Sequence, residues 1–319
     1  MLLEAYRQML WSAWVAVPEP SVEVIPANKA ELMVRISPAS DPFDGGRTAA
    51  WLEGLRNPVW RGVRDARTGH TIHCVSDRSG SALDKDLHLG LRLLAWMSSD
   101  ASPSQGRKPI VWYWWDQPWP RTLPAGVDPG RDHVNGGWAV PGVREVHVYR
   151  REEAHKVMLH ECIHALGLDV PHSAVEPVRR RFEAAFGGRR LWPHFGEAYT
   201  ELFAEWLWSI AGARSLRGAE RRWAAQVACA TRQAAAVWAR IHDSRLDEDT
   251  NVFAYYVMKW VLLRDPEHLA VTLLSPTHAV GFWWSWWLRA QPDLIALAAR
   301  AADSENQALP MGMTCGSDL

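Results

Sequence analysis

The pattern of hydrophobic and polar positions in the first half of the chain predicts short strands with one helix among them. Residues 71–75 and 110–115 are apolar, β-rich runs, and residues 143–149 alternate as in a half-buried strand. Residues 22–36 also alternate enough to suggest strands broken by a proline. Residues 87–97 have apolar side chains at helical spacing. This half is therefore predicted to mix helix and sheet.

The second half of the chain has a helical pattern. Turn-rich breaks with paired or single glycines separate its apolar stretches. The predicted helices cover residues 174–186, 194–211, 218–242, 252–264 and 283–302. Strands that come first and helices that follow indicate an α+β fold.

One apolar run, residues 157–166, contains three strongly polar side chains: His160, Glu161 and His164. In a helix, residues four apart share a face, so both histidines can reach one metal ion. Burying these polar groups is costly unless a partner satisfies them, and a metal ion would do so. The spacing is that of the His-Glu-x-x-His zinc site, in which the glutamate handles a proton of water.

The position of this motif divides the chain. The strand at 143–149 leads into the motif helix, which we expect to begin near Arg151 and to end at Gly167. We therefore expect residues 1–169 to form an α+β subdomain that ends in the motif helix, and residues 170–319 to form a helical subdomain. A cleft between the two subdomains is the expected place for a substrate.

Composition narrows the range of partners. The chain has 35 Lys and Arg against 36 Asp and Glu, which gives no support for a nucleic-acid partner. No apolar stretch is long enough to span a membrane, and residues 1–17 lack the basic segment and unbroken apolar core of a signal peptide. We therefore expect a soluble protein of the cytoplasm or another intracellular compartment.

Cysteine and tryptophan usage adds two expectations. The four cysteines are far apart and show no paired spacing, which predicts neither a disulfide framework nor a cysteine-based zinc site. The 20 tryptophans include clusters at 112–115 and 283–287. Packing in the core is the expected role of these clusters.

A catalytic zinc ion needs a third protein ligand and one open position. Glu197 and Glu201 are four residues apart in the predicted helix 194–211, so they share a face. One carboxylate can bind the metal, while the other holds a ligating histidine in place. Spacing alone leaves the two roles exchangeable.

Together the two motifs resemble those of the gluzincins, the thermolysin-like zinc peptidases. In that clan a downstream helix supplies a glutamate ligand, and an acidic residue follows four positions later. The resemblance implies that Glu197 is the third ligand and Glu201 the outer acid. It covers residues 135–205, where Asn135-Gly136-Gly137-Trp138 is similar to the clan's substrate-cradling edge strand. The same residues look like those of uncharacterised gluzincin-type proteins of large DNA viruses and protists.

The resemblance implies a zincin-like fold that holds Zn²⁺ and hydrolyses peptide bonds of a peptide or protein substrate. Zinc lowers the pKa of a bound water to about 7, and Glu161 would take the proton and pass it to the leaving amine. Gluzincins place a Tyr or His near the oxyanion, and Tyr255 and Tyr256 are the candidates for that role. An equally good interpretation makes them core tyrosines with hydrogen-bonded hydroxyls.

Two alternatives stay open. In a metzincin-like peptidase, Gly167 would be the motif glycine, but the next ligand position is Val170. Asp169 lies one residue too early and His172 two residues too late for that pattern. The second alternative is a catalytically inactive gluzincin fold that serves as an interaction module.

Overall fold

The computed structural model describes residues 2–36, 46–99, 108–123, 127, 130–185, 194–243, 250–301 and 309–310. The fold is α+β, as predicted, with an open six-stranded mixed sheet. The strands of the described chain are β1 (Val22–Ile25), β2 (Val59–Asp65), β3 (Thr71–Ser76), β4 (Val111–Asp116), β5 (Thr122–Leu123), β6 (Gly137–Ala139), β7 (Glu145–Val148) and β8 (Leu309–Pro310). Strands β5 and β8 pair with each other in a separate two-stranded sheet.

Helices make up most of the remaining described chain. None of these helices is both long and apolar enough to cross a lipid bilayer. They are α1 (Leu2–Ala16), α2 (Lys29–Arg35), α3 (Arg47–Gly54), α4 (Ser81–Ser99), α5 (Arg131–Val134), α6 (Ala154–Ala165), α7 (His172–Ala185), α8 (Phe195–Ala211), α9 (Leu216–Asp243), the π-helical segment π1 (Phe253–Met258), α10 (Lys259–Leu263), α11 (Pro266–Leu274) and α12 (Pro276–Ala301).

The chain divides into two compact units. The sheet unit consists of Leu10–Pro120 and Asn135–Leu168. The helical unit consists of Met1–Met9, Arg121–Val134 and Asp169–Leu319. The motif helix α6 therefore belongs to the sheet unit, as its last helix.

The six-stranded sheet has the order β1-β2-β3-β4-β7-β6. Strands β3, β4 and β7 are parallel neighbours, whereas β6 pairs antiparallel with β7 and forms one edge. Every residue of β4 except the first is buried. Such a continuous apolar strand is expected in the middle of a sheet with helices on both faces.

Alternate residues of β4 point to opposite faces of the sheet. Tyr113 and Trp115 belong to a core cluster with Leu32 of α2 and Leu52 of α3. On the other face, the ring of Trp112 lies against that of His155 in α6. The tryptophans of this strand are thus core residues, as predicted.

The segment after β1 differs from the prediction of a broken strand over residues 22–36. Residues 29–35 fold as α2, because the Asn28 side chain accepts a hydrogen bond from the backbone N–H of Glu31 at 3.1 Å and caps the helix. Leu32 is completely buried, so the helix also gains hydrophobic stabilisation. Alternation in the sequence gave no sign of this cap.

A buried carboxylate at the end of β4 fixes the segment that leads into the motif helix. Asp116 is fully buried and accepts hydrogen bonds from Arg78 Nε at 2.7 Å and Arg151 Nε at 3.1 Å. The backbone N–H of Arg151 also donates to the Gln117 carbonyl at 2.7 Å. Two guanidinium groups thus compensate the buried charge and tie the chain before α6 to the sheet.

The start of the motif helix is three residues later than predicted. Arg151 is held by the end of β4, and the helix begins at Ala154. Between them, Glu153 has a left-handed backbone with φ of 61°, which cannot continue a right-handed helix. The predicted start near Arg151 was wrong because nothing in the local sequence reveals this long-range anchor.

One cysteine expectation is also corrected. Cys229, on α9, is disulfide-bonded. Spacing along the sequence does not indicate such a bond, because cysteines far apart in sequence can meet in space. Cys74 and Cys162 are free, buried thiols, and burial raises the pKa of both. Cys162 therefore behaves as a small core residue of α6.

Candidate metal centre

The motif helix α6 is nearly surrounded by protein. It packs on α4, β6 and β7, and ten of its twelve residues are buried. It ends where predicted, at Gly167, whose φ of 65° is the left-handed conformation that closes many helices. The N–H of Gly167 donates to the His164 carbonyl at 2.9 Å, which caps the end of the helix.

The two motif histidines face each other on one side of α6. The Nε2 atoms of His160 and His164 are 3.1 Å apart. Two imidazole nitrogens bound to one tetrahedral zinc at 2.0–2.1 Å would be separated by about 3.3 Å. The two nitrogens thus have the spacing that a shared metal ion requires.

A carboxylate on α8 completes a possible ligand group. One ligand atom each of His160, His164 and Glu197 lies within 4.8 Å of the other two. Glu197 is in the first turn of α8, and its backbone N–H donates to Nδ1 of His194, the residue that caps this helix. His194 is therefore the residue that caps the start of α8.

The two candidate tyrosines have different surroundings. The hydroxyl of Tyr255 donates a hydrogen bond to Oε2 of Glu197 at 3.1 Å. Tyr256 is completely buried, and the Nζ atom of Lys259 lies 5.9 Å from the centre of its ring. The structure therefore places the Tyr255 hydroxyl in contact with a candidate ligand. Both tyrosines lie in π1, a type of segment that occurs frequently at functional sites.

The predicted outer acid, Glu201, is fully buried one turn after Glu197. The Nζ atom of Lys259 lies 3.7 Å from Oε1 of Glu201 and 2.5 Å from Oε1 of Glu205. Sequence reasoning missed Lys259, although a signal was present. It is the one charged residue in the apolar run from 252 to 263, where a buried lysine requires acidic partners.

The proposed general base, Glu161, lies against the edge strand β6. A Cβ atom added at Gly137 would be 3.1 Å from Cγ of Glu161 and 2.9 Å from Cγ1 of Val157. Only glycine allows the strand to approach α6 this closely. Glu161 itself is 6% exposed, so its carboxylate lies in a largely dry environment.

Two further residues near the motifs, His172 and Thr200, lie outside the ligand group. His172 is exposed at the start of α7 and is absent from the metal-holding group found among the described residues. Thr200 is buried and donates to Oδ1 of Asp169 at 3.0 Å, which ties Asp169 to α8.

Two imidazoles and one carboxylate form a donor set that suits zinc and leaves room for a fourth ligand. No protein-family model, curated protein or solved structure matches the chain.

Proposed function

We propose that this protein is a gluzincin-type, zinc-dependent peptidase with a zincin-like fold. The observation that carries the proposal is the group formed by His160, His164 and Glu197, whose ligand atoms lie within 4.8 Å of one another. Two histidines and one glutamate are the zinc ligands of thermolysin. The Glu161 carboxylate beside the first histidine supplies the acid–base group that hydrolysis needs.

The edge strand supports a peptide as the substrate class. Strand β6 pairs with β7 on one side and is the last strand of the sheet. An extended peptide can add to such an edge through backbone hydrogen bonds, which are independent of its side chains. Trp138, in the middle of β6 and partly buried, would offer this peptide an apolar surface.

The zinc ion and Glu161 would have different roles in the reaction. A bound zinc ion would polarise the scissile carbonyl and lower the pKa of a coordinated water to about 7. Glu161 accepts a proton from the attacking water and returns it to the leaving amine. The low exposure of Glu161 strengthens its electrostatic interactions with the reacting atoms.

Metal analysis and two sets of variants test the proposal. Purified protein is expected to bind about one zinc per chain, and His160→Ala or His164→Ala to lose it because a ligand is removed. Glu161→Gln is expected to keep zinc but to lose hydrolysis of a denatured protein mixture, because an amide cannot accept the proton. Glu152→Gln, the same change just before α6, is the matched control.

Each result has a distinct meaning. Stoichiometric zinc in both histidine variants would place the metal elsewhere and overturn the site. Near wild-type turnover by Glu161→Gln would show that Glu161 is not the base. A wild-type protein that binds zinc at this site and cleaves no peptide would favour the inactive interaction module.

A further inference from the structure

Three glutamate side chains lie along one face of α8. Two side chains from the segment that comprises π1 and α10 contact their carboxylates. Glu197, Glu201 and Glu205 are spaced four residues apart. Tyr255 and Lys259, also four apart, lie on π1 and at the start of α10. The phenol meets the first carboxylate at 3.1 Å, and the ammonium group lies 3.7 Å and 2.5 Å from the next two.

The π-helical backbone sets where these two side chains point. At the end of π1, the N–H of Lys259 donates to the carbonyl of Ala254, five residues earlier. A hydrogen bond of this span adds one residue to the turn and changes the register of everything that follows around the helix axis. The turn thus determines the direction of Lys259 relative to Tyr255. Such turns occur frequently at functional sites.

The contact between Lys259 and the two carboxylates of α8 is buried. Lys259 is fully buried, and Glu201 and Glu205 are at most 1% exposed. Desolvated charges are costly unless they are paired in good geometry, so removal of one partner leaves an expensive charge behind. The ammonium group therefore restricts Glu201 and Glu205 to orientations that keep both carboxylates close to it.

From these contacts we propose that Tyr255 and Lys259 are positioning residues of the metal centre. The Tyr255 hydroxyl fixes the carboxylate of Glu197 for the metal, and Lys259 fixes that of Glu201 behind it. This inference rests on the proposed zinc site. It assigns Tyr255 to the support of a ligand and not to the oxyanion.

The variant Tyr255→Phe removes one hydroxyl group and keeps the ring. We expect its zinc dissociation constant, measured by competition with a chelator, to rise about 10- to 100-fold, as is usual when a ligand loses an outer partner. At saturating zinc, kcat for a peptide is expected to fall by a smaller factor than zinc affinity does. Tyr199→Phe is the matched control, because Tyr199 is a buried tyrosine of α8 whose ring stacks on Phe203.

Lys259 requires a paired design, since Lys259→Met alone leaves two buried carboxylates and would impair folding. The double variant Lys259→Met/Glu205→Gln removes both charges of the closest contact. We expect it to fold and to bind zinc at least about tenfold more weakly than the wild type. Glu205→Gln alone keeps the Lys259–Glu201 contact and is expected to lose less affinity.

The outcomes separate this inference from the proposed function. Wild-type protein without zinc would end both proposals before any variant is compared. If the wild type binds zinc and Tyr255→Phe binds it equally well, the positioning role of Tyr255 is wrong and the zinc site stands. Unchanged zinc affinity with a large loss of kcat would instead make Tyr255 an oxyanion donor. Wild-type affinity in the double variant would remove Lys259 from the metal centre.

Discussion

Glu197 and Glu201 differ in their contacts, although their sequence spacing makes them look equivalent. A carboxylate oxygen of Glu197 lies within 4.8 Å of a ring nitrogen of each motif histidine. Glu201, in contrast, is buried beside Lys259. We expect Glu197→Ala to lose zinc almost completely, because a ligand is removed, and Glu201→Ala to weaken binding about 10- to 100-fold. Chelator competition on purified variants measures both effects.

The exposed His172 provides the control for this comparison. It stands at the start of α7, and we expect His172→Ala to bind zinc like the wild type. Loss of zinc in His172→Ala together with its retention in Glu197→Ala would replace the gluzincin interpretation with the metzincin-like one.

At the residue scale, the sequence predicts contacts within one helix better than contacts between helices. The facing of His160 and His164 follows from four-residue spacing alone. The pairing of Lys259 with Glu205 joins residues 54 positions apart, so no local pattern reveals it. The hydrogen bond from Tyr255 to Glu197 likewise joins residues 58 positions apart, and a π turn changes the direction of the side chains that follow it.

At the scale of elements, strand β6 approaches the motif helix α6 closely at Gly137. In Gly137→Ala, the new Cβ would lie 2.5 Å from the backbone oxygen of His147 and 3.1 Å from Cγ of Glu161. Strand β6 must therefore shift relative to both β7 and α6, at a cost of about 1–3 kcal/mol. We expect kcat to fall more than zinc affinity, because the added atom meets the general base directly.

Gly54→Ala is the control for this experiment, since a Cβ at Gly54 meets nothing within 4 Å. Urea unfolding and peptide hydrolysis of both variants provide the measurements. Wild-type stability and activity in Gly137→Ala would mean that the close packing of β6 on Glu161 contributes neither to stability nor to hydrolysis.

Element boundaries depended on whether their signals are local. The end of α6 was predictable, because a glycine suited to a left-handed cap follows the last apolar turn. The start of α6 was not, because Asp116 anchors Arg151 from a strand 35 residues earlier. The start of α2 is an exception, because its signal is local: the Asn28 side chain caps Glu31, three residues later, and this hydrogen bond outweighed the alternating pattern after β1.

At the scale of the whole molecule, the order of strands and helices was sufficient to predict an α+β fold. The sequence pattern contains no sign that Met1–Met9 belongs to the helical unit. That assignment depends on tertiary contacts, such as the hydrogen bond from Arg7 to Glu220 at 3.0 Å. Periodicity reports which face of an element is apolar and does not report which other element covers it.

Two buried histidines make the stability of the sheet unit sensitive to acid. Burial lowers the pKa of His147 to about 3, with a further contribution from Arg35, and burial lowers that of His70 to about 4. An unfolded chain would bind these protons near pH 6.5, so it is favoured as the pH falls below that value. The free energy of unfolding is therefore expected to fall by about 2 kcal/mol per histidine between pH 7 and pH 5.

Replacement of His147 isolates its part of this acid sensitivity. Its ring stacks on Trp138, with centroids 3.8 Å apart, and neither ring nitrogen has a hydrogen-bond partner in the part of the chain that the structure describes. His147→Phe keeps an aromatic ring in the stack and removes both buried polar atoms, so we expect higher stability at pH 7. Its free energy of unfolding should also fall by about 2 kcal/mol less than that of the wild type between pH 7 and pH 5. Urea unfolding of metal-free protein across this range separates the effect from zinc binding, and an unchanged pH slope in the variant would show that His147 is not its source.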